Sequence, residues 1–251
     1  MFEITGGSGR HPITMIAISA NDLAGSAGFY SRVFGWQTRK LDDNLVAAVA
    51  PGGPAVTLRA GTPQGFPGMV PFIAVPDVAK ALDRIGPAGG SVERPPWTVP
   101  MAGTLARFQD PFGTIYGLSS AVPAAAMAPV PMPFGDNPKP PVNSICSVEM
   151  YASDPGQAAG FFGPEFGWGT AETIPGYLGF HPGAGIGGVF QSHTPSLPAV
   201  AYIWVDSVET RIEELEKAGG KRSADPMRAP GMGCFGYFTD PSGTAMGMIG
   251  P

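Results

Sequence analysis

Histidine and cysteine are scarce in this 251-residue chain, with three of the first and two of the second, and only 14% of its residues are charged. Two cysteines, Cys146 and Cys234, give no disulfide framework and suit a reducing compartment. No run of Lys or Arg is present to track a phosphate backbone, and the net charge is -5, so nucleic-acid binding is disfavoured. No apolar stretch approaches the roughly 18 residues that a membrane-spanning helix needs. The opening Met1-Phe2-Glu3-Ile4 lacks a charged region followed by an apolar one, so a cytoplasmic location is expected. What the chain does have is Gly 37 and Pro 29 alongside 43% hydrophobic and 10% aromatic residues. That mixture describes a folded, turn-rich protein rather than a disordered one.

Self-similarity sets the organisation. Phe34-Gly35-Trp36 returns as Phe166-Gly167-Trp168, and Val75-Pro76-Asp77-Val78 as Val205-Asp206-Ser207-Val208. Ala88-Gly89-Gly90 returns as Ala218-Gly219-Gly220, and Asp110-Pro111-Phe112-Gly113-Thr114 as Asp240-Pro241-Ser242-Gly243-Thr244. These matches hold one register with a single two-residue slip, which makes the chain a tandem duplication. The expected layout is a Gly-rich leader over 1–12, a first module over 13–120, a linker over 121–142 and a second module over 143–251. The linker carries seven prolines, which exclude helix interiors and central strands, so it is expected to be extended; Met132 and Phe134 could dock from it.

Hydrophobic periodicity alternates between strand and helix types. Ile13 to Ala20 reads as a strand, and Asp22 caps a helix that runs to Phe34 and closes at Gly35. Leu23, Ala27, Tyr30 and Phe34 share one face of it. Three short strands follow, then a strand over Val70–Val75, a helix over Asp77–Ile85 and three more strands. In the second copy, helices are expected over Pro155–Phe162 and Val208–Ala218. The fold class is α+β, with a strand-helix-three-strand unit repeated four times.

The ordered set of an Asp-capped helix ending Phe-Gly-Trp, then Val-x-Asp/Ser-Val, Gly-Gly and Asp-Pro-x-Gly-Thr resembles the vicinal oxygen chelate superfamily. That superfamily contains glyoxalases, bleomycin-resistance proteins and extradiol dioxygenases, and the tandem form is similar to its glyoxalase-like branch labelled hydroxylase. The resemblance implies two tandem modules, each made of paired βαβββ units forming a half-open barrel around a cleft. It also implies a metal held by His or Glu at three or four cleft positions. Those positions fall here on Met15, Phe72 and Gly117 in the first copy, and on Ser147, Tyr202 and Gly247 in the second. None of these is an imidazole or carboxylate, so neither metal nor other cofactor is expected. The three histidines, His11, His181 and His193, match no ligand set and read as surface or strand-edge residues.

Glu149 lies two residues beyond Ser147, so strand alternation points both into the second cleft, and its first-copy counterpart is Ala17. A carboxylate buried among aromatics acts as an acid or base or meets a cation; alternatively it is bonded to backbone or paired with an arginine at the barrel edge. Tyr202 and Trp204 share that cleft face, while Met15, Phe72 and Trp97 belong to the other cleft. Such walls suit a flat or apolar small molecule, or else they simply fill the barrel. Cys146 alternates away from Ser147 and is expected beneath the helices, and both cysteines read as inert thiols. The glycine strings Thr5–Gly9 and Gly183–Gly188 open no helix and fail the phosphate-loop and dinucleotide patterns.

Two functions remain. One is metal-free binding of a small apolar or aromatic molecule for sequestration, sensing or carriage, by a monomer or homodimer. The other is a glyoxalase-like lyase, isomerase or dioxygenase-like enzyme that uses Glu149 or an atypical metal site.

Overall fold

A computed structural model describes residues 11–61, 68–99, 103–121, 123–134, 137–174, 176–194 and 196–251. Most of the expected leader therefore lies outside the described residues. The first copy runs β1 (Ile13–Ser19), α1 (Leu23–Phe34), β2 (Gln37–Asp42), β3 (Leu45–Val49) and β4 (Ala55–Arg59). It continues with β5 (Met69–Ala74), α2 (Val78–Ile85), β6 (Ser91–Val99), β7 (Gly103–Gln109) and β8 (Ile115–Ser119). After α3 (Ala124–Met127), the second copy opens with β9 (Ile145–Tyr151), α4 (Pro155–Phe166), β10 (Gly169–Ile174), β11 (Tyr177–His181) and β12 (Gly187–Gln191). It closes with β13 (Ala199–Trp204), α5 (Val208–Lys217), β14 (Lys221–Arg222), β15 (Met227–Ala229), β16 (Gly233–Thr239) and β17 (Ala245–Gly250).

Each copy forms one mixed sheet, ordered β2-β3-β4-β1-β5-β8-β7-β6 in the first and β10-β11-β12-β9-β13-β17-β16-β14 in the second. The middle pairs are antiparallel, β1 with β5 and β9 with β13, so the two βαβββ units of a copy join through their first strands. One face of each sheet carries the helices. The main core lies there and runs without a break from the first copy into the second. Smaller apolar clusters mark the opposite faces, one around Phe72 and Leu105 and the other around Tyr202, Trp204 and Phe235.

Local chemistry explains the helix limits. Asp22, Asp77, Asp154 and Ser207 each accept a backbone N–H of the first turn, satisfying donors the helix cannot pair itself. Gly35 and Gly167 end α1 and α4 at φ 66°, a conformation that a side chain disfavours. α4 runs to Phe166 rather than stopping at Phe162, passing through Pro164. Pro164 has no N–H to give the Gly160 carbonyl four residues back, and buried Phe161, Phe162 and Phe166 hold the helix on both sides of it. The linker departs from its expected extended form at α3, where an Ala-rich turn precedes the next proline. In the last unit the strand matching β6 is broken into β14 and β15, with Pro226 between them.

The repeated motifs join the copies. The Trp36 indole donates to the Asn143 carbonyl at 2.8 Å, and the Trp168 indole to the His11 carbonyl at 2.9 Å. His11 also bonds the Ala74 carbonyl at 2.8 Å, so it is a tie between the copies and not a surface residue. Thr114 Oγ1 donates to Tyr151 O at 3.2 Å, and Thr244 Oγ1 to Ser19 O at 3.1 Å. Each Asp-Pro-x-Gly-Thr turn is thereby pinned to the end of the other copy's first strand.

Candidate functional site

Register brings the three cleft positions of each copy together. Met15 pairs with Phe72 and Phe72 with Gly117; Ser147 pairs with Tyr202 and Tyr202 with Gly247. At both glycines a side chain has no room. A Cβ on Gly117 would strike the Phe72 ring, and one on Gly247 the Tyr202 ring. Hydrocarbon therefore occupies the space where a carboxylate ligand would stand. Thioether, hydroxyl, phenol and phenyl groups do not fit a divalent cation. Among the described residues no three His, Cys, Asp or Glu side chains converge on one point.

The second cleft carries a short chain of titratable groups. Tyr202 OH donates to Glu149 Oε2 at 2.6 Å and shares a 2.6 Å hydrogen bond with Tyr237 OH. Because Tyr202 has one proton and gives it to Glu149, Tyr237 supplies the proton of the second bond. Burial raises the Glu149 carboxyl, opposed by the Tyr202 hydrogen bond and by His193 nearby. Tyr237 is pushed up to about 12, first by burial and then by the Glu149 charge. The Tyr177 and His193 rings, 5.1 Å apart, stand beside this chain. Trp204 lies in the same apolar cluster, and Phe134 and Val130 of the linker pack against it, with Phe134 and Phe235 centroids 6.2 Å apart. The linker thus forms part of this cleft's wall.

Cys146 is a correction. A bulge between Ile145 and Ser147 turns its side chain into the cleft cluster instead of beneath the helices, where its Sγ donates to Tyr202 O at 3.4 Å. Burial pushes its thiol up to about 12, which keeps it un-ionised and unreactive. Cys234 faces the main core, and burial raises its thiol too.

The first cleft gathers Met15, Phe72 and Trp97 as the alternation predicts, with Ala17 beside them. It also holds charges that the alternation pattern had not singled out. Arg107 grips Glu93 through two hydrogen bonds of 2.5 and 3.1 Å, and the Arg94 guanidinium lies 4.0 Å from the Trp97 ring centre. A cavity of about 450 Å³ at this cleft's mouth is lined by Arg59, Trp97, Asn44 and Leu45 among others. A second, of about 430 Å³, lies between the copies, bounded by Gly68, Ile115, Leu197 and Gly243. Tyr237 and Arg107 were legible in principle, since they pair with Gly247 and Gly117, both already assigned to a cleft. His193 reaches the site from a loop, and no periodicity marks it.

Comparison with known proteins agrees with this architecture. Residues 13–115 match the family model described as Glyoxalase/Bleomycin resistance protein/Dioxygenase superfamily. The match spans the first copy, which carries that superfamily's pattern. Its repeat carries the same pattern into the second copy. "Putative glyoxylase CFP32" of Mycobacterium tuberculosis is 27% identical over 255 residues, covering 94% of this chain and 93% of its own. "Anthracycline biosynthesis protein DauV" of a Streptomyces species is 28% identical over 182 residues, covering 62% of this chain and 60% of that protein. Among solved structures, the Mn(II)-bound glyoxalase from Novosphingobium aromaticivorans superposes with a TM-score of 0.65 at 16% identity, over 98% of this chain and 83% of that one. The 2,3-dioxygenase LapB from Pseudomonas sp. KL28 also gives 0.65 at 16% identity, over 99% and 94%. At these identities the superpositions establish the fold, two tandem α+β modules, and nothing of the chemistry.

Proposed function

We propose that this chain is a metal-free small-molecule binding protein of this superfamily, whose clefts hold a flat aromatic or apolar molecule for sequestration, sensing or delivery. The observation that carries the reading is the pair of rings, Phe72 and Tyr202, laid across Gly117 and Gly247. They replace a ligand shell with apolar wall. Aromatic walls beside a few polar groups suit such a molecule. The relative named for anthracycline biosynthesis agrees with an aromatic ligand. The two modules pack on each other within one chain, so a monomer completes the arrangement, and a homodimer is compatible with it. Two free, buried thiols fit a cytoplasmic setting. No helix among the described residues is long and apolar enough to cross a membrane.

The test is titration with an uncharged aromatic probe, 2-naphthol, followed by its fluorescence. Tyr202→Ala or Trp204→Ala should weaken binding about tenfold or more, as expected for a lost aromatic wall. Unchanged affinity in both would contradict the reading.

One observation favours a second reading. The Tyr237–Tyr202–Glu149 chain of 2.6 Å hydrogen bonds can pass a proton to or from Glu149 Oε2. A carboxyl raised by burial suits a general base for a lyase or isomerase acting on an acidic C–H bond. In that case Glu149→Gln would abolish exchange of a substrate proton with solvent while leaving binding intact.

A further inference from the structure

The two clefts differ most in charge. Arg59, Arg94 and Arg107 all belong to the first cleft, and guanidinium groups stay protonated at any physiological pH. Arg107 is held by Glu93. Among the described residues no carboxylate lies within ion-pair distance of Arg59 or Arg94; Arg94 instead lies over Trp97. The Arg94 and Arg107 guanidinium carbons lie 4.0 and 5.9 Å from the Trp97 ring centre, and burial, Arg107 and Arg59 lower the proton affinity of Arg94 while Glu93 raises it. Glu93 is one carboxylate beside three guanidinium groups, so the cluster keeps an excess of positive charge that a further anion would relieve.

The arrangement is particular to this cleft. Allowing for the repeat offset, Arg107 corresponds to Tyr237 and Arg59 to Gln191, whose Oε1 is committed to the backbone N–H groups of His193 and Thr194. The fold therefore does not require the arginines. The cavity between Arg59 and Trp97, about 450 Å³, is of a size to take a small organic ligand. Exposed Asp42 and Asp43 also line it, the first accepting the Asn44 N–H and the second paired with Lys40, so an anion is favoured only on the side of Arg59 and Trp97, next to Arg94.

We propose that the first cleft is a binding site for an aromatic molecule bearing an anionic group, with Trp97 as its apolar wall and Arg59, Arg94 and Arg107 receiving the charge. This deepens, and rests on, the reading of the clefts as small-molecule sites. Guanidinium forks match the planar oxygens of such a group with charge-assisted hydrogen bonds.

Calorimetric titration of the full chain with 4-nitrobenzoate and with its uncharged analogue 4-nitrobenzamide tests it. The carboxylate should bind about tenfold or more tightly than the amide, and the difference should shrink as salt rises. Arg59→Gln and Arg94→Gln should each lose most of that preference, with melting curves confirming the fold, while Arg222→Gln on the outer surface should keep it. Equal affinity for the two probes, no binding of either, or an undiminished preference in both folded cleft variants would overturn the proposal. Metal analysis of the same sample separates the two claims. Bound metal together with intact carboxylate preference would sink the metal-free reading and leave the anion site standing. Metal-free protein indifferent to the carboxylate would do the reverse.

Discussion

Asp110 and Asp240 occupy equivalent turns but differ in their second oxygen. Both use Oδ1 to accept two backbone N–H groups of their own turn at 2.9 Å. Asp240 Oδ2 also receives the Tyr30 hydroxyl at 3.1 Å. The residue matching Tyr30 is Phe162, so Asp110 Oδ2 has no such donor. Tyr116 lies beside it, yet neither group makes a well-formed hydrogen bond among the described residues. Burial pushes the Asp110 carboxyl up to about 7, and burial raises Asp240 as well. The folded chain then holds a proton that the unfolded chain, with an ordinary aspartate near 3.8, has released. Stability is fully present below that ordinary value, falls as pH rises through the window up to about 7, and is flat above it. The melting temperature should therefore be higher at pH 5 than at pH 8. Asp110→Asn, neutral throughout, should remove part of the difference; a melting temperature that instead rises over this range would contradict the assignment. At this scale Glu149, Tyr202 and Trp204 were legible because strand alternation decides which face a residue takes. Tyr237 and Arg107 needed the strand register to be followed through, Arg59 and Arg94 pair with no residue assigned to a cleft, and His193 had no pattern to read.

Among elements, the repeated Phe-Gly-Trp motif made the duplication visible, and its use is docking. Each tryptophan donates to a carbonyl two residues before the first strand of the other copy. Trp36→Phe keeps most of the apolar volume but leaves the Asn143 carbonyl without that donor, and should cost about 1–3 kcal/mol in denaturant unfolding. A change near zero would mean that water replaces the bond without loss. Helix limits were legible where side-chain caps write them, and the pairing of βαβββ units followed from the family resemblance. The β-bulges were not. One extra residue in β9 reverses the facing of Cys146, and nothing in the local sequence announces it. The Pro-rich linker hid a helical turn and its contact with the second cleft for a related reason, since both depend on surfaces brought up from elsewhere in the chain.

For the whole molecule, the core ignores the boundary between the copies. Phe29 and Phe34 meet Phe238, while Phe108 meets Phe161 and Phe166. Neither copy buries its helix face alone, so unfolding should be a single transition in which the calorimetric and van't Hoff enthalpies agree. Two separated transitions would show that the copies are independent.

The central claim is that both clefts have exchanged a metal site for an apolar wall, and it is tested most directly by native mass spectrometry of gently purified protein with elemental analysis of the same sample. The account predicts a mass free of stoichiometric Zn, Ni, Mn or Fe, with any co-purified species an organic molecule. One equivalent of such a metal per chain would contradict it, because the aromatic rings over Gly117 and Gly247 would then have to move aside for a ligand set that their positions do not provide.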